Sequence, residues 1–366
     1  MTWIPEKTLA GHGSELQCGY AECIGVDNMT TDVNRFALSS EQIQMQEKLT
    51  DIFMPEAKRR IMSYYSNSDG SSDSAKFVHY TSAEAAIHII NKKRIWMRNV
   101  TCMSDYREVQ HGYEILQRYF SDQNKRDAFN RELDKCSQGV GNEATEMFGQ
   151  LWNNIRLYSY IASISEHKDD ENDHGRLSMW RAFGGNAARV AIVFNVQKYS
   201  GAAQALNIMF SPVSYLPDTD VYKVIDEVTY NIGNNCAFLA SLNRDILRAN
   251  VFTMLMAGVT CLKHEGFREE REWRVIYGPK LMPSQLIESS NEIIGGIPQT
   301  VYNLPLDQRV SESISGLEFS KMFERLIIGP SQYSWALYDA FVTALSKAGV
   351  TEAGNRVCIS GIPIRT

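Results

Sequence analysis

The chain has 366 residues, 44% of them hydrophobic, enough to bury one large core or two ordinary ones. Its net charge of −6 gives no overall pull toward phosphate, and no uncharged apolar run approaches the ~20 residues that span a bilayer. Seven cysteines without a CxxC pair argue against a disulfide framework or a thiolate zinc site, and an N-terminus without a basic-then-apolar leader predicts a cytoplasmic protein with reduced thiols.

The first 38 residues mix Gly, Cys and polar residues without a clear period. Ser39 with Gln42 fits a capping box opening a helical pattern through Ile43, Leu49, Ile52, Phe53, Ala57, Ile61 and Tyr65, which Pro55 kinks or splits. Residues 66–75, SNSDGSSDSA, have the composition of a linker, so the chain divides into an N-terminal helical extension, 1–75, and a main domain, 76–366.

Phe77-Val78-His79-Tyr80 reads as a strand, and Thr81 or Ser82 with Glu84 as the cap and first turn of a helix that carries Ala86, Ile87, Ile89 and Ile90 inward. The helix breaks at Asn91-Lys92-Lys93 and Arg94-Ile95-Trp96-Met97-Arg98 is a second strand, so His79 and Arg98 share a β-α-β unit. In the polar segment that follows, Ser104 and Asp105 either cap the next helix or offer donors and acceptors to a ligand.

Helical spacing over residues 113–136 and 143–157 predicts a helical insertion, followed by strands at 158–165 and 188–194. Between them, Trp180, Arg181 and Phe183 lie beside a Gly-Gly-Asn turn and either pack a core or stack on a planar ring and pair with phosphate. A strand at 208–215, helices over 237–261, strands at 273–277 and 326–328, a helix at 335–347 and a strand at 357–364 complete the pattern. Strands that follow one another without a helix between predict an α+β class and not a doubly wound sheet.

No dinucleotide glycine fingerprint, phosphate loop, zincin helix or hydrolase elbow occurs. In Glu269-Glu270-Arg271-Glu272-Trp273-Arg274, alternation sends Glu270, Glu272 and Arg274 to one face. They form either a solvated strand entrance or an anion placed for a developing positive charge, with Glu272, nearest the apolar run, as the candidate. HKDDENDH, residues 167–174, has no ordered ligand spacing and reads as a solvated loop, so no metal is expected. His12, His88, His111 and His264 read as packed or surface histidines.

His79-Tyr80-Thr81-Ser82, Ile95-Trp96-Met97, Met103-Ser104-Asp105-Tyr106-Arg107-Glu108, Ile164-Ser165-Glu166, Met179-Trp180, Glu270-Arg271-Glu272-Trp273-Arg274 and Ile328-Gly329-Pro330 together resemble, in that order, the bacterial domain family DUF2971 over roughly residues 76–364. Ser104 departs from the Asn of that pattern. The family's opening in turn resembles ADP-ribosyltransferases of the DNA-modifying toxin type and RNA 2′-phosphotransferases.

That resemblance implies a small split sheet, mixed or antiparallel, with helical insertions, NAD as substrate, and a role in toxin or phage-defence systems. It implies that His79 holds the adenine-side ribose, that Tyr80, Trp96 or Trp180 stacks on nicotinamide, and that Glu272, with Glu270 beside it, stabilises the transition state. Arg98 and Arg181 hold the pyrophosphate on this reading, and Thr81, Ser104, Asp105 and Arg274 are further cofactor contacts.

Cleaving the N-glycosidic bond of NAD creates an oxocarbenium-like ribosyl cation, which wants a nearby anion more than a strong nucleophile. The expected partners are NAD and a protein, DNA or RNA acceptor, with no membrane. The alternatives are a non-enzymatic nucleotide- or protein-binding module, and RNA 2′-phosphate processing in a basic cleft.

Overall fold

The computed structural model describes residues 39–67, 74–103, 107–182, 188–198, 201–314 and 316–363. The first 38 residues, Ser104, Asp105 and the Gly184-Gly185-Asn186 turn lie outside them.

Ser39 opens α1 (Ser40–Phe53) with the expected capping box, its hydroxyl accepting the Gln42 N–H at 3.2 Å while its own N–H donates to Gln42 Oε1 at 2.9 Å. Pro55 then starts a separate helix, α2 (Pro55–Asn67), because proline suits a first helical position and no interior one. Both helices join the body: Leu49, Ile52 and Phe53 enter the core under the helical layer, and Tyr65 packs with Phe77 and Trp273.

The β-α-β unit forms as β1 (Ser74–Ser82), α3 (Ala83–Lys92) and β2 (Arg94–Asn99). The Ser82 hydroxyl accepts the Ala85 N–H at 3.2 Å, and Lys93 ends the helix in a left-handed conformation, φ 51°. The single helix expected over 113–136 is two, α4 (Arg107–Ser121) and α5 (Gln123–Cys136), because Asp122 accepts the Asn124 N–H at 2.9 Å and starts a new one. Next come α6 (Val140–Tyr158), β3 (Tyr160–Glu166), α7 (Leu177–Ala182), β4 (Arg189–Gln197), α8 (Ala202–Ala205), β5 (Ile208–Pro212) and β6 (Ser214–Tyr215).

Two elements are additions to the pattern read from sequence. One is α9 (Asp218–Asn234), which precedes α10 (Cys236–Ala240), α11 (Arg244–Thr260), β7 (Leu262–Lys263) and β8 (Glu272–Tyr277). The other is a hairpin of β9 (Glu288–Ile294) and β10 (Ile297–Pro305), turned by Gly295 and Gly296 at φ 60° and 80°, the positive values a two-residue turn needs. The chain closes with α12 (Phe319–Met322), β11 (Phe323–Ile328), α13 (Ser334–Lys347) and β12 (Val357–Ile359).

The class is α+β, as expected, but the main sheet is not small: among the described residues it has ten strands, mostly antiparallel with β11 and β12 parallel. It forks at β3. One edge of β3 pairs throughout with β8, which pairs in turn with β5. The other edge is shared: Glu166 and Ser165 pair with Phe77 and Val78 of β1, whereas Ile161 and Tyr160 pair with Arg98 and Asn99 of β2.

Beyond the fork, β1 continues through β4 and β11 to β12, and β2 through β10 to β9. Both arms run antiparallel to β3, so β1 and β2 are parallel and α3 makes the crossover between them. Ile161 and Ile276 pack beneath Phe148, Val251 and Leu255 of the helical layer, and Ala162, Ile192 and Val275 face a second core with Ile89, Ile90, Phe341 and Leu345. Separating two faces this way leaves the fork, where β3 residues 162–164 meet neither arm in register, as the place a polar group can reach the sheet's backbone.

Candidate functional site

His79 occupies that fork. On β1, one residue past the last pair with β3, it places Nδ1 2.9 Å from the Ser163 carbonyl. A carbonyl only accepts, so Nδ1 carries the proton, and burial pushes the ring's pKa down, which keeps it neutral and leaves Nε2 as an acceptor.

The same Ser163 reaches Glu272 from its other end. Its hydroxyl donates to Glu272 Oε1 at 2.5 Å, so one residue of β3 contacts both His79 and Glu272. Register explains the Glu272 contact: Ser163 lies opposite Arg274 and Ser165 opposite Glu272, which puts the Ser163 side chain on the face that Glu272 and Arg274 share, whereas His79, next to the Val78 that pairs with Ser165, alternates to the other face and reaches only the Ser163 backbone.

Glu272 is only 5% exposed and fully ligated. Arg274 grips it with Nε 2.8 Å from Oε1 and a terminal nitrogen 3.1 Å from Oε2, and Lys263 lies 3.5 Å from Oε2. Burial pushes the carboxyl pKa up, but Arg274 above all, with Lys263 and Ser163, outweighs it and holds Glu272 below the usual carboxylate range. The side chain is therefore an anion in a dry setting.

The backbone is set as firmly. Arg271, just before Glu272, is left-handed at φ 45°, a costly conformation for a side-chain-bearing residue. Its carbonyl accepts the Glu166 N–H at 3.0 Å and its guanidinium pairs with Glu171, while the Glu272 N–H donates to the Tyr215 hydroxyl at 2.8 Å. Arg274 donates also to the Thr260 carbonyl at 2.6 Å, and Lys263 binds Glu270 at 2.7 Å, so Glu270 joins the cluster through a shared lysine.

The remaining candidates form other groups. Tyr80 and Trp180 meet edge to face at 4.9 Å, with the indole N–H donating to the His174 carbonyl at 2.7 Å and the ring packed against Gly329; both are buried, the geometry of core aromatics. Trp96 lies on His88 at 4.4 Å, and Arg98 donates to Gln299 Oε1 at 3.0 Å and to the Cys102 carbonyl at 2.9 Å, both on the β2 arm. Thr81 pairs with Val190 at the end of β1, and Arg181 is exposed at the end of α7.

The segment read as a solvated loop is so only in part: Lys168, Asp169, Asp170, Asp173 and His174 are exposed, but His167 and Glu171 turn inward. His167 is 4% exposed, with Nε2 3.0 Å from Asn172 Oδ1, and Glu171 binds Arg176 at 3.0 Å as well as Arg271. Arg176 further donates to the carbonyls of Glu166, Glu269 and Glu270 and gives its N–H to the Tyr80 hydroxyl. One neighbouring cation, Arg176, and one distant in sequence, Arg271, neutralise Glu171. Among the described residues no group of three His, Cys, Asp or Glu is arranged to hold a metal.

A pocket of about 1470 Å³ opens elsewhere, between α1, α2, α6, α11 and β5, and His79, Glu272 and the other described candidates do not line it.

Residues 179–275 match the family described as protein of unknown function, DUF2971. No curated protein and no solved structure matches the chain. The matched stretch runs from Met179-Trp180 to the Glu270-Arg271-Glu272-Trp273-Arg274 strand entrance, and over these residues the chain is similar to the DUF2971 family.

Proposed function

We propose that the protein cleaves NAD at the fork, releasing nicotinamide and passing ADP-ribose to a macromolecular acceptor or to water, with the toxin or phage-defence setting implied by the resemblance alone. The observation that carries this reading is the convergence of His79 and Glu272 on the single residue Ser163. The bond between ribose C1′ and the nicotinamide nitrogen breaks with its electrons leaving on nicotinamide. The acceptor oxygen or nitrogen then attacks C1′ and gives up a proton. An ionised carboxylate held rigidly in a dry site stabilises the intervening cation without becoming a nucleophile. The bare Nε2 of His79 accepts a ribose hydroxyl.

A second reading, a nucleotide-binding module without chemistry, is favoured by one observation: Arg274, Lys263 and Ser163 already engage both oxygens of Glu272. On the first reading the ribose hydroxyl takes the place of the longest of these contacts, that of Lys263.

Incubation with NAD labelled in its adenine ring, in the presence of protein, DNA and RNA, separates the two. Label covalently transferred, or recovered as free ADP-ribose, supports the enzyme. Saturable binding with NAD recovered intact supports the module.

A further inference from the structure

Ile208, Met209, Phe210 and Ser211, four successive residues of β5, all line the pocket of about 1470 Å³. Successive strand residues point to opposite faces, so a space that meets all four runs along the strand's edge. Among the described residues β5 pairs on one side only, with β8.

The hydrogen-bond alternation identifies which groups face the open side. Val213 donates its N–H to the Glu272 carbonyl at 2.9 Å, one step beyond the Pro212–Trp273 pair. In an antiparallel ladder that turns Met209 and Ser211 toward β8, and leaves the N–H and C=O of Ile208 and Phe210 pointing outward, while the outward C=O of Pro212 accepts the Ser211 hydroxyl at 3.2 Å. No backbone hydrogen bond within the described residues takes these outward groups.

The walls are apolar on both sides: Ile61, Tyr65, Ile164 and Trp273 on one, Leu151, Trp152, Phe252 and Met256 on the other. At the Ile208 end the rim carries Arg156 and Lys280, both exposed. Lys280 follows by three residues Tyr277, the partner of Ile208, which fixes that end of the groove. The sheet's other long free edge, β9, is guarded in the usual way by exposed Glu288 and Asn291, whereas the edge of β5 sits inside a pocket.

We propose that β5 takes up an extended polypeptide segment of a partner protein by strand addition. The segment is apolar on both faces over about five residues, about 17 Å of strand, and acidic at the end that meets Arg156 and Lys280. A lipid-like ligand fills apolar walls equally well, but only a polypeptide backbone satisfies a row of outward N–H and C=O groups spaced two residues apart.

The test uses the full chain and a fluorescein-labelled peptide of five alternating Val and Ile residues ending in Asp. Two further versions carry N-methyl groups on one or the other alternate set of residues. The parent peptide saturates the protein, one methylated version binds at least about tenfold more weakly, the scale of one net hydrogen bond, and the other binds like the parent. Phe210→Pro removes an outward N–H without touching a bond to β8 and weakens the parent peptide by a similar factor, its melting curve confirming the fold. Equal binding of both methylated versions overturns the proposal, because it shows an apolar pocket without strand pairing. No saturable binding also overturns it, as does a self-associated protein that excludes the peptide.

Discussion

Around Glu272, Arg274, Lys263 and Ser163 converge on one carboxylate with almost no exposure, whereas along β5 outward backbone groups face a pocket of about 1470 Å³. Both regions hang on the same strand pair, β8 and β5, and differ in what is at stake when a group is left unmatched. A buried charge without partners costs several kcal/mol, so that region closes on itself. An unpaired strand edge beside an open pocket costs little and keeps its capacity for another backbone. Chemistry is thus expected at the closed region and recognition at the open one.

The largest expected effect breaks the closed side. Arg274→Ala strands Glu272 and Lys263 in a buried setting and costs about 3–5 kcal/mol in urea unfolding. Phe210→Ala, at the open side, falls well below the ~3–5 kcal/mol of a fully buried Phe because its ring is only partly buried. Equal losses would erase the contrast.

Ser163→Ala comes next, losing about 1.5–3 kcal/mol for a hydrogen bond to a charged group and, on the proposed chemistry, slowing nicotinamide release. Its remaining carbonyl still holds His79, so NAD affinity changes less than turnover.

Acid sharpens the comparison in two stages. His79 and His167 are pushed by burial below their ordinary value, so the unfolded chain binds protons first and stability, full above about pH 6.5, declines as pH falls toward the folded values. Glu272 is held below its ordinary value, so its contribution is full above about pH 4.3 and is lost as pH falls through the depressed value. Melting temperature against pH should show both stages, and Glu272→Gln should remove most of the lower one.

The smallest effect sharpens the assignment of Arg181. It is exposed, so Arg181→Ala changes stability by less than about 0.5 kcal/mol. If it grips the NAD pyrophosphate, NAD binding weakens by about tenfold all the same.

Local signals were readable wherever local chemistry decides. The capping box at Ser39, the split at Pro55 and the turn of period after Tyr80 all formed as expected. The helix α9 and the Gly295-Gly296 hairpin were not read although their signals are present: Val221, Ile225, Val228 and Ile232 repeat at helical spacing and are buried, and the glycine pair marks a turn.

The fork was not legible, since which part of β3 meets β1 and which meets β2 is set by long-range register. His79 and Glu272 were singled out by residue type, yet Ser163, which joins them, was passed over. Its one signal was a small hydroxyl repeating at alternate positions, Ser163 and Ser165, within an apolar strand. Composition misled in part at residues 167–174, where Arg176 lies just beyond the segment but the other neutralising partners, Lys76, Arg271 and Arg325, come from far along the chain.

On the proposed chemistry Glu272 acts as an anion beside bound NAD. The direct measurement is nicotinamide release by the purified chain and by Glu272→Gln, with melting curves confirming that both are folded. Release by the parent chain that is lost in the variant, while NAD still binds, is the predicted result. Release undiminished in a folded Glu272→Gln variant, or none from the parent chain with any protein, DNA or RNA acceptor, would contradict it.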